Sequence, residues 1–478
     1  MFSEIVQDFA RRMESRLAEI TEELLRKKDF SGVEAAMNEE CARLNAELQQ
    51  AILQTLLNDA IFLSLLKVYA GTRGMKYNGH SELWLTLSNG RRIRICSPYF
   101  IKAKPHSRRT KRGRNGTGSH VGLEILGFLG QVSPGFLSDV VQMALLCPSY
   151  DVACTILKGR GINLDVKALR RLCQVSGNPD RLLRGRIALD GQERLRGYTL
   201  VISIDGGRVR ERKRKRGRKA KHLKRQGYHA EWREPKLFTI YLTDAEGKVI
   251  KEFKPLIDAT MGDCEAMFVL LEDYLKNLEL EQLDRIVFCG DGAPWIWNGV
   301  EALSTRMGFD ENLVIQVLDY THAKQNLEDI IELVPTDKQP RVRKKWVDLL
   351  WNGQMDALEL SIRNTVTGKA NQEKAMKKFT GFFAVNRQRM RYAWFKAHGL
   401  PCGSGHVESA IRRVINLRLK APGTFWLKEM VECFLFLRSQ LLSGRWGIFM
   451  TNLTGLARQA FMQVFVTKDA QAAPPKAA

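Results

Sequence analysis

The sequence predicts an α/β protein built on one mixed sheet flanked by helices, with a mainly helical region ahead of it and an all-helical insertion late in the chain. Three observations carry this. Five apolar runs of strand length fall between Thr199 and Asp319, and the stretches between the later ones have helical periodicity. Residues 323–400 stay helical and basic for longer than a loop would. Ahead of Gly197, apolar residues recur mostly at helical spacing, broken by one hairpin signal.

The runs of the sheet are TLVISID (199–205), KLFTIYLTD (236–244), GKVIKEFKP (247–255), DRIVFCGD (284–291) and NLVIQVLD (312–319). Asp244–Gly247 is a tight-turn signal, so the second and third runs read as a hairpin. Amphipathic helices are predicted over 262–278 and 295–307. Three strands, the last two a hairpin, followed by helix–strand–helix–strand give the order of an RNase H-like mixed sheet.

Ahead of the sheet, Leu44, Leu48, Ile52, Leu56 and Leu57 share one helical face within residues 1–70, a packing or dimerisation element. SELWLTLSNGRRIRICS alternates apolar residues on both sides of Asn89-Gly90, a dipeptide suited to a type I′ hairpin turn. Residues 102–119 are basic and Gly-rich and read as a DNA-tracking loop. Ser149 opens one helix, a Gly-containing turn follows at 159–161, and Asp165 caps a second helix carrying Lys167, Arg170 and Arg171. That is the shape of a helix-turn-helix; an ordinary helical hairpin with a solvated basic face has the same pattern. The predicted organisation is a helical region (1–70), hairpin and basic linker (71–118), helix-turn-helix-like domain (119–196), first part of the core (197–334), helical insertion (335–400), last part of the core (401–446), and a C-terminal helix with a disordered tail (447–478).

Charge narrows the partner. Lys and Arg number 75 against 52 Asp and Glu, a net charge of +23. Such an excess suits a polyanion. No stretch approaches the roughly 18 uninterrupted apolar residues of a spanning helix, so nucleic acid is favoured over membrane. The first residues have no basic n-region followed by an apolar core, which argues against secretion. The nine cysteines are scattered without a CxxC and read as reduced core thiols of a cytoplasmic protein. Spacing alone also allows a zinc site using Cys402 and His406.

The chemistry rests on three acids. Asp205 closes the run VISI and is followed by Gly206-Gly207; Asp291 closes RIVFC; Glu408 opens a helix after a Gly-rich approach. An acid at the end of a buried strand is exposed on a rigid backbone. A lone Asp-Gly is ordinarily a turn, but two acids closing neighbouring strands in this order point to a metal cluster. Hard oxygen ligands bind Mg²⁺, or Mn²⁺, while leaving positions for water and phosphate. Two ions about 3.5–4 Å apart suit phosphoryl transfer.

ISIDGGRVR, FCGDGAPWIW, LDYTHAKQNL and GSGHVESAIRRVINLRLKAPGTFW resemble the signature blocks of bacterial insertion-sequence DDE transposases, of the Mutator-like branch, over roughly residues 140–445. The resemblance implies an RNase H-like catalytic domain, with the triad on Asp205, Asp291 and Glu408. It also implies a D-x-x-H pair on Asp319 and His322, and the helical insertion before the last acid. Two Mg²⁺ ions, double-stranded DNA as partner and a homodimer or higher assembly follow from it. The expected reaction is hydrolysis at a transposon end followed by attack of the freed 3′-hydroxyl on target DNA.

Several further residues are candidates. Asp319 and His322, at i and i+3, are expected beside the triad, with a mutual hydrogen bond. Arg412, one turn after Glu408, either holds a phosphate or orients Glu408. Arg413, Arg418 and Lys420 are expected on DNA. RVRERKRKRGRKAKHLKR (208–225) holds twelve Lys or Arg and one Glu, a net of +11. Its Arg208, Arg210, Arg212, Lys213, Arg214, Lys215, Arg216, Arg218 and Lys219 read as a phosphate clamp, or alternatively as a localisation signal. Trp295 and Trp297 are candidates for stacking on an unpaired base, with one of the two belonging to the core. A transposase-derived DNA-binding regulator and an RNase H-fold nuclease are the rival readings.

Overall fold

The computed structural model describes residues 2–102, 118–178, 180–191, 193–217 and 227–472. Most of the predicted basic linker, together with Arg218 and Lys219, lies outside them. The chain divides into two compact units, Met1–Val175 with Met450–Ala478, and Ser176–Phe449.

The first unit begins with helices α1 (Phe2–Lys27), α2 (Phe30–Leu57) and α3 (Ala60–Thr72), followed by strands β1 (Met75–Thr86), β2 (Arg92–Lys102) and the short β3 (Gly118–Ser119) in one antiparallel sheet. The α2 face that packs on this sheet is Ala46, Leu53 and Leu57, so Ile52 and Leu56 of the predicted stripe are exposed. The β1–β2 turn is not type I′. Gly90 alone has positive φ (78°), while Asn89 does not and instead accepts the Arg91 amide on its side chain. Leu87 and Arg91 close a three-residue loop with Gly90 in the left-handed position.

Helices α4 (Val121–Ile125), α5 (Pro134–Leu146), α6 (Tyr150–Gly159) and α7 (Val166–Gly177) follow. Ser149 caps α6 by accepting the Val152 amide at 3.1 Å, and Asp165 accepts the Ala168 amide at 2.6 Å at the start of α7. Lys167, Arg170 and Arg171 are exposed on α7. No single described helix is long and apolar enough to cross a membrane; α2 and α3 reach that length and composition only as a pair bent by 66°.

The second unit is a mixed α/β structure. It opens with α8 (Arg181–Ala188) and contains strands β4 (Thr199–Gly206), β5 (Val209–Arg214), β6 (Tyr228–Arg233), β7 (Lys236–Thr243), β8 (Leu256–Thr260), β9 (Arg285–Gly290) and β10 (Val314–Leu318). Five of these form a mixed sheet of order β10-β9-β4-β7-β8. β4, β9 and β10 run parallel; β7 pairs antiparallel with β4, and β8 antiparallel with β7, so only β7 runs against the rest. Leu200, Val201, Ile202 and Ile204 of β4 and Ile286, Val287, Phe288 and Cys289 of β9 are fully buried, as expected of central strands covered on both faces. β5 and β6 form a separate two-stranded ribbon inserted between β4 and β7.

The third strand of the sheet is not where the alternation in GKVIKEFKP suggests. The turn at Asp244–Gly247 forms, but only Val249 bridges back to Thr243, and the paired strand is Leu256–Thr260. Pro255 cannot donate to a ladder, and LIDAT beyond it is wholly buried.

Helices α9 (Cys264–Lys276) and α10 (Pro294–Met307) pack in the same core as the sheet. After β10 come α11 (Tyr320–Ile331), α12 (Gln339–Trp351), α13 (Met355–Thr365), α14 (Lys369–Lys378) and α15 (Tyr392–Ala397), with no strand among them. Trp346 is fully buried in this helical segment and donates to Ser361 at 2.9 Å. The unit closes with α16 (Gly405–Ile411), a π-helical turn (Arg412–Asn416) and α17 (Lys428–Leu442). A last helix, α18, spans Trp446–Ala472; in the first unit Phe461 meets Tyr69 edge-on at 5.5 Å.

A carboxylate cluster at the end of three parallel strands

Parallel pairing sets the site. Ser203 is in register with Cys289, so Asp205 and Asp291 each stand two residues beyond a paired position at the same end of β4 and β9. Leu318 of β10 pairs with Gly290, and the next residue, Asp319, donates its amide to the Gly290 carbonyl at 2.8 Å. Three acids therefore follow three adjacent parallel strands.

Each has a defined set of partners. One Asp205 oxygen accepts the Gly206 amide at 2.6 Å and one Asp291 oxygen accepts the Ala293 amide at 2.9 Å. Among the described residues, the second oxygen of each accepts nothing. Asp319 is different. It is 2% exposed and caps α11. Its Oδ1 accepts both the His322 amide (2.8 Å) and the His322 ring Nδ1 (3.1 Å). Its Oδ2 accepts the Ser404 amide (2.6 Å) and hydroxyl (2.9 Å).

The Ser404 contact delivers Glu408. Tyr320 donates its amide to the Cys402 carbonyl at 2.9 Å, fixing the returning chain against the start of α11. The Ser404 hydroxyl lies 3.4 Å from Glu408 Oε1, and Glu408 is exposed on the first turn of α16. Ligand atoms of Asp319, His322 and Glu408 lie within 4.8 Å of one another, a group able to hold a metal ion.

Electrostatics ties the remaining acids to this group. Asp205 is pushed up to about 6, by burial first and then by repulsion from Asp291 and Glu408, against the opposing pull of the Gly206 amide and His322. Burial also raises Asp319, but hydrogen bonds from His322 and Ser404 outweigh it and hold the group near 2. His322 is raised chiefly by its hydrogen bond to Asp319, against burial, with further contributions from the fields of Asp319, Asp291 and Asp205.

These environments divide the roles. Asp319 has both oxygens committed to hydrogen bonds and positions its neighbours. Asp205 and Asp291 each keep one oxygen that accepts no hydrogen bond among the described residues, but neither belongs to the group whose ligand atoms lie within 4.8 Å of one another, which is Asp319, His322 and Glu408. A neutral Asp205 is preferred by the metal-free fold, so its contribution to stability is full well below pH 4 and is lost as pH rises through about 6. Asp205→Asn is expected to raise the melting temperature of metal-free protein at pH 8 and to leave it unchanged near pH 4, as read by thermal denaturation in EDTA.

Other predicted site residues scatter. Arg418 is 4% exposed beneath the rings of Trp426 (4.9 Å) and Phe434 (5.5 Å), so it packs the core and does not reach DNA. Arg413 is half-buried and donates to the Leu442 carbonyl. Arg412 and Lys420 are exposed; the Arg412 amide donates to the Glu408 carbonyl as the α16 cap, but among the described residues its guanidinium makes no hydrogen bond to the Glu408 carboxylate. Trp297 is 3% exposed, which removes it as a stacking platform. Trp295 packs partly into the core, edge-on to Phe268, with the Lys236 ammonium 4.8 Å from its ring centre. Cys402 and His406 form no metal pair: Cys402 faces the Tyr392 carbonyl, and His406 stacks on Tyr241 at 3.9 Å.

Exposed aromatics that the sequence motifs do not single out stand on the inserted ribbon. Tyr228 and Trp232 lie on β6, opposite Arg214 and Arg210 of β5. Their alternation, Tyr228-x-Ala230-x-Trp232, is the available signal, overshadowed by the preceding charge run.

No family model matches the chain, and no curated protein matches it. Among solved structures, the chain is similar to the Drosophila P element transposase strand transfer complex, at 11% identity over 72% of this chain and 87% of that one, with a TM-score of 0.23. A likeness at that level carries no inference about fold or function.

Proposed function

We propose that the chain is a DNA transposase of the DDE type, with Asp205, Asp291 and Glu408 as the metal-holding triad of an RNase H-like core. The observation that carries this reading is the parallel register of β4 and β9, which brings Asp205 and Asp291 to one sheet end, together with the Asp319–Ser404 hydrogen bonds that draw in Glu408. The strand order supports the fold: numbered within the sheet alone, it is 5-4-1-2-3 with the second strand antiparallel. Mg²⁺ or Mn²⁺ suits the oxygen donors, and when bound supplies activation of the attacking oxygen and stabilisation of the leaving one.

The chain's own residues do the rest. Asp319 orients the His322 ring through Nδ1 and fixes the approach to Glu408 through Ser404. A metal-bound triad requires ionised Asp205, so metal affinity is expected to fall as pH drops through about 6. The net charge of +23 suits double-stranded DNA as substrate.

The test is a cleavage and strand-transfer assay on labelled DNA carrying the ends of the encoding element. Mg²⁺-dependent nicking at the ends with joining to a target plasmid supports the reading. Cutting without joining would favour a nuclease, and tight binding with no cutting a regulator. A third expected result concerns α7: replacing Lys167, Arg170 and Arg171 by Glu should weaken end binding. The slope of log K against log salt should flatten by about 0.9 for each phosphate no longer neutralised. Unchanged affinity and slope would remove α7 from the DNA.

A further inference from the structure

The ribbon β5–β6 has two unlike faces. On one, Val209 and Glu211 are buried; Arg212 N and Arg210 O bond the Trp426 backbone at 2.7 and 3.0 Å, and Glu211 pairs with Arg233. That face roots the ribbon on the segment following Glu408. On the other, cross-strand pairing sets Arg210 opposite Trp232, Arg212 opposite Ala230 and Arg214 opposite Tyr228. Residues two apart share a face of a strand, so these six side chains line one surface.

Its chemistry is specific. The Arg210 guanidinium lies 4.8 Å from the Trp232 ring centre and 5.7 Å from that of Phe425; Arg212 lies 5.4 Å from Tyr228, which meets Phe425 at 5.5 Å. Trp232 is 52% and Tyr228 41% exposed. Among the described residues, Arg210, Arg212 and Arg214 have no carboxylate partner, whereas Lys213, on the other face, pairs with Glu231. Exposed aromatics alone suit many partners, and arginines alone suit any phosphate. Alternated on a two-stranded ribbon, with the cations left uncompensated, they suit an extended strand that offers both bases and phosphates.

We propose that this face binds unpaired nucleotides, Trp232 and Tyr228 stacking on bases while Arg210, Arg212 and Arg214 hold the adjoining phosphates. A paired duplex hides its base faces and would meet only the arginines. The biological ligand, an unpaired stretch beside a transposon end, rests on the transposase reading; the binding chemistry does not.

The test uses the full chain in EDTA, so that no cutting intervenes. Fluorescence anisotropy measures its affinity for labelled dT20 and for a fully paired 20-base-pair duplex at one salt concentration. Trp232→Ala with Tyr228→Ala should weaken dT20 binding by on the order of tenfold or more and leave duplex binding within about twofold. Trp232→Phe, which keeps a stacking ring, should recover most of the loss. Equal losses on both DNAs, no loss on either, or no rescue by Phe would overturn the proposal. Selective loss on dT20 in a protein that never cuts element ends in Mg²⁺ would uphold the ribbon and sink the transposase reading.

Discussion

Asp205→Asn, Asp291→Asn and Glu408→Gln are each expected to slow Mg²⁺-dependent cleavage of element-end DNA by on the order of 10³-fold or more, with DNA affinity held within about twofold. Each substitution keeps shape and removes charge. Asp205 and Asp291 each spend one oxygen on a backbone amide, so an amide side chain can retain that acceptor while losing the negative charge. If the three acids act as one unit, as proposed, any double variant should be little worse than a single one. Single-turnover cleavage with anisotropy on the same DNA reads both quantities. Variants that cut like wild type would remove these carboxylates from the chemistry.

The largest effect on stability is expected at Arg184. It is 1% exposed, with Asp258 at 3.5 Å, Glu432 at 3.2 Å and the Phe436 ring beneath it at 4.8 Å. Tyr274 donates to the other oxygen of Asp258 at 3.1 Å. Arg184→Met leaves two facing carboxylates with no cation, at a cost of about 3–5 kcal/mol. Adding Asp258→Asn and Glu432→Gln should return much of that, since the penalty belongs to the stranded charges. Urea denaturation followed by fluorescence measures it. A loss under about 1 kcal/mol for the single variant would mean the network is relaxed by water.

This network also explains where the sequence misleads. Leu256–Thr260 is a wholly buried strand with an acid at its centre, and Asp258 looks like a turn residue until Arg184, 74 positions earlier (258 − 184), is known to face it. GKVIKEFKP, by contrast, alternates well with no partner strand to use the alternation. Strands with largely apolar runs, β4, β7 and β9, are legible, and with them Asp205 and Asp291. Arg418 is misread because motif spacing does not reveal which side chains are covered, and that Trp297, of the two tryptophans, is the core one is likewise a tertiary fact. The ribbon is hidden because Lys and Arg disfavour strand assignment locally; its pairing with Tyr228–Arg233 is a tertiary fact.

The hydrogen bonds between Asp319 and Ser404 join positions 85 residues apart, with the whole helical segment α12–α15 in the loop they close. A growing polypeptide presents Asp205 and Asp291 long before it can present Glu408. A product truncated between Asp291 and Ser404 would carry the ribbon, Asp205 and Asp291 yet lack Glu408 and the Asp319–Ser404 clasp. Under the proposed reading such fragments would bind DNA without cutting it, so the order of residues along the chain delays cleavage until the segment carrying Ser404 and Glu408 has been made.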